Sequence, residues 1–517
     1  MKSTPASKVI SIYSSSFEEN KPFYAINLAS AISKVTKEKV LLVDMDTSYE
    51  SVLKALKLES KTLGEELVVK SAIGIDILGI GHIKKEDIVD LKKSYRYILI
   101  NLPLQPAKLD IDVFSYSDSI HLFVSSIKAN LEKNYLFLED LIKENEKRLD
   151  KRLKIVVNFS NSFDNLSKDE VSWILRRNIF NFLPDASIFE KLVNIDGVPL
   201  VLSAKDSAYS KDILRVAKQE TGKLFGLALG SGAAFGLAHI GVLKVLEESD
   251  IKVDIISGSS MGALIASFWG LGLTSEKIAY IAKKLKHKLN IMRLLDFTIP
   301  ISGILAGHRL KGFLRAFLGE KTFEDLKIPV KIMVYDLANR ETLSIDKGSL
   351  LEAVFMSIAV PGIFKPKTDK DRVIIDGGIS DPVPVDILLK QGVNKIIAVN
   401  VLPGPEDMYR RNMLLKKRFE DQERRIKEGP IHLRLIFFIK RSLKNIFNPN
   451  IFDVIMTSMQ SMEYMLAKES CEKASLVLHP VLPEAGSVDF HLVKEFIEKG
   501  EEEAREHLKE IKEIVAS

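Results

Sequence analysis

Apolar residues along this chain fall into two successive series of short β-type runs separated by stretches of helical spacing. In the first series Val9–Tyr13 is rich in β-branched residues, Phe23–Val35 has helical spacing, and Val40–Asp44 is an unbroken apolar run that ends in an acid. Tyr97–Ile100, Ile120–Val124 and Ile155–Asn158 continue it. Runs without polar alternation, with helices between them, predict strands buried on both faces of a parallel sheet. The pattern restarts near Gly222. A strand over Leu224–Leu229 leads into a small-residue loop and a helix from about Leu237. A second strand, Ile251–Ile256, leads into a tight turn and a helix over Ala263–Trp269, with later β runs at Val330–Tyr335, Val373–Ile375 and Lys395–Val399. Ala204–Gly222 reads as the connection between the two series. Beyond Pro403 a basic stretch, a late strand at Leu476–Val481 and a charged helix over Glu501–Ser517 follow. The expectation is an α/β fold twice over. Residues 1–222 form a first parallel-sheet domain, 223–405 a second α/β core, and 406–517 a basic, helical extension packed on that core.

Composition narrows the picture only in part. A length of 517 residues is too much for one core. The net charge of +5 is small for that length and gives no footprint of a nucleic-acid binder. Cys471 stands alone, so no intrachain disulfide forms and a reducing compartment fits. The first sixteen residues lack the long apolar core of a signal peptide, and no stretch reaches the roughly 20 apolar residues of a membrane span. The reading is a cytoplasmic protein that meets a membrane, if it does, from the surface of the inner face.

Three segments carry candidate chemistry. Gly258-Ser259-Ser260-Met261-Gly262 matches G-x-S-x-G between a strand and a helix, the context that lifts a serine hydroxyl clear of a sharp turn. The alternative is a glycine-rich turn with an incidental serine. Leu229-Gly230-Ser231-Gly232-Ala233-Ala234-Phe235-Gly236 also joins strand to helix, and its small residues let backbone N–H groups approach a ligand, as an oxyanion site or a phosphate loop requires. Asp376 ends a β run and is followed by Gly377 and Gly378; Asp-Gly is also a common turn pair. Asp381 and Asp386 compete with it, but Pro382 and Pro384 suggest a rigid loop around them.

Together these segments resemble the patatin-like phospholipases, especially the bacterial branch related to neuropathy target esterase, over roughly Gly222 to Val401. Gly236-Leu237-Ala238-His239-Ile240-Gly241-Val242-Leu243 and Ser357-Ile358-Ala359-Val360-Pro361-Gly362-Ile363-Phe364 belong to the resemblance. It implies a lipid carboxylic-ester hydrolase that works through an acyl-enzyme, with Ser260 as nucleophile and Asp376 as base. It implies an oxyanion hole of backbone amides near Gly232 and Ala233 with that of Met261, and no metal or organic cofactor. The substrate class implied is a phospholipid, lysophospholipid or related ester. The family usually carries Arg or Lys where this chain has Phe235, and often glycine where it has Ser231 and Ala233. That departure motivates a rival reading, a membrane-associated scaffold with an inactive hydrolase domain. A Ser-Asp-His triad is the other variant, with His479 in the required chain order.

The N-terminal domain resembles the deviant P-loop ATPases of the MinD/ParA kind over roughly Lys8 to Gly222. The resemblance rests on Lys21-Pro22-Phe23-Tyr24-Ala25-Ile26-Asn27-Leu28-Ala29, on Leu41-Leu42-Val43-Asp44-Met45-Asp46, and on Tyr97 to Pro103. The departures fall on the nucleotide chemistry. Ser14 to Asn20 lacks the glycines that wrap phosphates, Pro22 replaces the Mg²⁺-binding Ser or Thr, and Asn101 replaces the Walker B acid. Lys21, Asp44 and Asp46 remain as a degenerate set. The expectation is a pseudo-ATPase used for docking or for homo-oligomerisation.

Met408–Lys444 holds twelve Lys and Arg against four acids, with Leu433–Ile439 embedded. Such a segment suits an anionic lipid surface, or a helix packed on the core with Leu433–Ile439 as its buried face.

Overall fold

Strand by strand, alternate residues enter two different cores, as expected of a sheet covered on both faces. In the computed structural model the residues described are 7–14, 20–46, 52, 56, 68–70, 74–104, 112–145, 152–159, 166–177, 179–186, 197–284, 296, 298, 303–369, 371–427 and 451–517. Leu433–Ile439 and most of Ser14 to Asn20 lie outside them. The chain divides into two compact units, Met1–Gly222 and Lys223–Ser517.

Unit 1 holds one eight-stranded sheet. Its strands are β1 (Lys8–Tyr13), β2 (Val40–Asp44), β3 (Val68–Lys70), β4 (Asp76–Gly79), β5 (Tyr97–Asn101), β6 (Ser119–Ser125), β7 (Leu153–Asn158) and β8 (Ile179–Leu183). Their order is β3-β4-β2-β5-β1-β6-β7-β8, parallel except where β3 joins β4. In β1, Ile10 and Ile12 enter one core while Val9 and Tyr13 enter the other. In β5, Leu99 and Ile100 divide the same way. Helix α1 (Lys21–Thr36) is buried over its first twelve residues. Ala204–Gly222 is more than a connection. It contains helix α2 (Ala208–Glu220), which packs on α1. Tyr209, Ile213, Val216, Ala217 and Glu220 recur at helical spacing and are buried, an amphipathic signal that polar neighbours mask in the sequence.

Unit 2 has a mixed sheet built from β9 (Phe225–Leu229), β10 (Ile255–Ser259), β12 (Val330–Asp336), β13 (Glu341–Ile345), β15 (Lys367–Asp369), β16 (Arg372–Asp376), β17 (Lys395–Val399) and β18 (Leu476–Leu478). A separate small pair joins β11 (Gly303–Leu305) to β14 (Gly362–Phe364). The order is β15-β16-β12-β10-β9-β17-β18, with β13 also on β12. The expected strand Ile251–Ile256 lies four residues later. Ile251 N still closes the preceding helix on Leu246 O, and Asp254 brackets the backbone of Phe225 before pairing starts at Ile255.

Four helices matter below: α3 (Ala238–Glu248), α4 (Met261–Gly270), α5 (Pro405–Lys427) and α6 (Ile451–Cys471). The described residues beyond 405 are woven into the unit and not merely laid on it. β18 forms the sheet edge against β17, and helix α7 (Val493–Glu506) packs on α3. A Cβ at Gly500 would lie 1.9 Å from Ala238 O, so only glycine permits that crossing. The expected terminal helix breaks at His507 into α7 and α8 (Leu508–Ala516).

Candidate active site

Sheet register brings the motif serine to the motif acid. β13 covers residues 332–336 of β12 along one edge. β10 pairs in parallel with residues 330–333 of β12, and β16 pairs antiparallel with residues 334–336. Both overlap β13, so both lie on the opposite edge of β12. There they run head-on. β10 stops with Ser259 opposite Met333, and β16 stops with Asp376 opposite Val334. The next residue after β10 is Ser260.

Ser260 Oγ donates to Asp376 Oδ2 at 2.6 Å, and both residues are buried. Ser260 has φ 53° and ψ −120°, a backbone state that costs an L-residue about 1–3 kcal/mol. The turn holds it there by close packing. A Cβ at Gly262 would lie 2.1 Å from Leu229 O, so the first turn of α4 sits directly on the end of β9. Ser260 N donates to Ser357 Oγ at 3.0 Å, and Ser357 Oγ donates to Met333 O at 2.7 Å. No local pattern in the sequence marks Ser357 for this role. Its signal was its place at the head of the Ser357-to-Phe364 segment.

Asp376 accepts at Oδ1 from Gly378 N at 2.7 Å. Burial pushes its pKa up to about 7, with the hydrogen bonds from Ser260 and Gly378 pulling the other way. A second carboxyl stands near. Glu463 on α6 is pushed up to about 7 by burial and then by the Asp376 charge. Nothing around Glu463 in the sequence marks it.

The loop after β9 lies against this turn, with Gly236 close to Met261. Its ends are anchored: Gly230 N donates to Val399 O, Ser231 N to Pro382 O, and Ala234 N to Ser487 O. Among the described residues the N–H groups of Gly232, Ala233 and Met261 have no acceptor. Ala233 holds φ 47°, so this loop keeps a left-handed bend at a residue with a Cβ. Ser231 Oγ is buried with no partner, and it lies beside Gly378. Gly258 is in β10, while Gly377 and Gly378 form the turn after Asp376.

Phe235, where the resemblance leads one to expect a cation, is 5% exposed and meets Phe496 edge-to-face with ring centroids 5.8 Å apart. The histidines are engaged elsewhere. His239 Nε2 donates to Gly230 O at 2.8 Å, and burial holds its pKa down at about 4, so the ring is neutral and ties the loop in place. His479 bonds Asn400 O and Asp407, and neither Ser260 nor Asp376 bonds a histidine. Asp386 pairs with Lys473.

The degenerate nucleotide set of unit 1 is drawn together differently. Lys21 Nζ donates to Leu102 O and lies 3.7 Å from Asp46 Oδ2, all within the buried interior. Asn101 Nδ2 donates to Asp44 Oδ1 at 2.8 Å, and Val52 N donates to Oδ2 at 2.8 Å. Burial pushes Asp44 up to about 6. These residues do not fit a magnesium nucleotide: the lysine is spent on a carbonyl and a carboxylate, Pro22 offers no hydroxyl, and Asn101 carries no charge. Among the described residues one group could by spacing hold a metal, Glu503, Glu506 and His507, but Glu503 already accepts from His479 N.

Residues 227–389 match the family described as patatin-like phospholipase. An uncharacterized NTE family protein of Mycobacterium tuberculosis is 37% identical over 175 residues, covering 34% of this chain and 48% of that protein. The neuropathy target esterase of Drosophila melanogaster is 33% identical over 211 residues, covering 40% and 15%. A lysophospholipase of Yarrowia lipolytica is 30% identical over 198 residues, covering 38% and 14%. The chain thus spans less than half the length of these curated relatives. Among solved structures, a ParA family ATPase from Chlorobium tepidum is 20% identical with a TM-score of 0.36, covering 41% of this chain and 99% of that one. The cell division protein MinD of Aquifex aeolicus is 22% identical with a TM-score of 0.36, covering 42% and 98%.

Proposed function

We propose that unit 2 is a serine acyl hydrolase that cleaves carboxylic esters of lipids, phospholipid or lysophospholipid among them, through Ser260 and Asp376. The observation that carries the reading is the 2.6 Å hydrogen bond from a strained, buried serine hydroxyl to a carboxylate whose pKa burial lifts to about 7. An ordinary aspartate is too weak a base for a serine; one near neutrality is better matched to the task. As Ser260 Oγ attacks the ester carbonyl, its proton passes to Asp376 Oδ2. The oxyanion that forms has backbone N–H donors to hand at Gly232, Ala233 and Met261. Asp376 then gives the proton to the departing alkoxide. Water, activated by the same carboxylate, releases the acid and restores the serine. Gly378 N and Ser357 hold the acid and the turn.

The matched patatin-like segment and the names of the relatives favour a lipid ester over a peptide or a sugar. The scaffold reading leans on Phe235. That side chain is packed in the core against Phe496, so its loss of charge bears less on the site than the sequence suggests. For unit 1 the proposal is a module that does not turn over nucleotide and serves docking or self-association.

The test is hydrolysis of a short p-nitrophenyl ester and of a phospholipid and lysophospholipid panel. Ser260→Ala and Asp376→Asn should each lose turnover by about a thousandfold or more. Wild-type protein that cleaves none of these esters would remove the reading.

A further inference from the structure

Most of the large apolar side chains that unit 2 leaves more than half exposed gather on one group of elements. Tyr409 and Met413 on α5, Ile455, Met462 and Met465 on α6, and Val488 in the loop before α7 are each more than half exposed. On α5, Tyr409, Met413 and Lys416 stand at i, i+4 and i+7 and so share a face. On α6, Ile455 and Met462 are seven residues apart and Met465 follows within a turn.

The elements converge. A Cβ at Gly404, just before α5, would lie 2.9 Å from the Tyr464 hydroxyl of α6. A Cβ at Gly486 would lie 3.1 Å from the Arg411 guanidinium of α5, and Gln460 of α6 donates to Ser487 Oγ at 3.3 Å. The Gly486–Val488 loop therefore lies against α5 and is hydrogen-bonded to α6. Cations border the apolar face. Between Met408 and Phe419 the chain has Arg410, Arg411, Lys416, Lys417 and Arg418 and no acid. Arg410, Lys416 and Lys417 are exposed and pair with no acid among the described residues.

We propose that this surface docks on an anionic lipid bilayer, with the Met, Ile and Tyr side chains entering the interface and the α5 cations at the headgroups. Charge decides the occupant. A second copy joined through the same face would bring two sets of Arg410, Lys416 and Lys417 into one interface, whereas an anionic bilayer complements them.

Docking here reaches the candidate site from two sides. The loop that carries Val488 accepts the Ala234 N–H through Ser487 O at 2.9 Å, which fixes the end of the oxyanion loop. α6 packs on the Gly377–Ile379 turn and brings Glu463 toward Asp376. That docking serves to deliver ester to Ser260 rests on the hydrolase reading; the docking itself does not.

The experiment is co-sedimentation of the full chain with phosphatidylcholine vesicles, with and without phosphatidylglycerol. The chain should bind the anionic vesicles and release them as salt is raised. Joint Met462→Asp and Met465→Asp should weaken association about tenfold or more, as should joint Lys416→Glu and Lys417→Glu. Tyr280→Asp, at an equally exposed position on another helix, should change nothing. Soluble p-nitrophenyl ester should be cleaved at the wild-type rate by all of these variants, while cleavage of ester in anionic vesicles falls with binding. Three results overturn the proposal: wild type that ignores anionic vesicles, aspartate variants that bind as tightly as wild type, or a stable dimer in light scattering that Met462→Asp converts to monomer. A chain that binds vesicles yet cleaves no ester contradicts the hydrolase reading and leaves the docking surface standing.

Discussion

Both units place their candidate chemistry at strand ends beside a helix, but they treat the polar groups there in opposite ways. In unit 1 Lys21 is drawn back onto Leu102 O and Asp46, and Asn101 donates to Asp44. Each charge has an internal answer. In unit 2 the Gly232, Ala233 and Met261 N–H groups have no acceptor among the described residues, Ser260 is held at a positive φ, and Asp376 is kept near neutrality by burial. Unsatisfied donors and a strained backbone persist only where surrounding packing supports them. The contrast teaches that a retained motif is weak ground for function, and that what the motif leaves unpaired is stronger ground.

The sharpest way to break the comparison is to give unit 2 the cation that the patatin-like resemblance leads one to expect at residue 235. Phe235→Arg would bury an unpaired charge against Phe496. It should lower stability by about 3–5 kcal/mol in chemical denaturation and add no turnover. A stable, faster enzyme would mean that residue 235 faces the site.

A somewhat smaller effect concerns Asp376. Its folded pKa of about 7 lies above its ordinary value of 3.8, so the folded state holds the extra proton between these values. Stability from this group is therefore full at low pH and is lost as pH rises through about 7. Asp376→Asn should stabilise the chain by about 2–4 kcal/mol above neutral pH and by little below pH of about 4. Wild-type ester hydrolysis should rise with pH with an apparent pKa of about 7. Equal unfolding midpoints for the two proteins at all pH values would show that Asp376 is not held against its charge.

The smallest effect sharpens the other side. Asn101→Asp restores an acid to unit 1 but sets it against Asp44. It should cost about 1–3 kcal/mol above pH of about 6, and fluorescent ATP analogues should bind no better than to wild type. Tight nucleotide binding by either protein would contradict the account of a closed, self-satisfied set.

The sequence showed most strands buried on both faces with near-correct bounds, β10 excepted, because unbroken apolar runs have few alternatives. Val40–Asp44 and Lys395–Val399 are such runs. Exposed or edge strands were not visible: β13 is Glu-Thr-Leu-Ser-Ile, half polar and on a sheet margin. Its absence from the sequence reading hides the step that matters most, since β13 forces β10 and β16 onto one edge of β12. The motif serine and acid were legible because each ends a β run beside glycine. Ser357 and Glu463 were not, because their roles come from contacts across 97 residues of chain or from a separate helix, with no local pattern. Phe235 shows the opposite case. The residue was legible as a departure, but its direction into the core depends on Phe496, more than two hundred positions away.

The central claim is that Ser260 is a poised nucleophile with Asp376 as its base. The most direct measurement is labelling of the full chain with a fluorophosphonate probe, followed by mass spectrometry of the tryptic peptides. The account predicts one adduct on the peptide containing Ser260, absent in Ser260→Ala and formed far more slowly in Asp376→Asn. Wild type that takes up no label at Ser260, or labels as fast without Asp376, would contradict it.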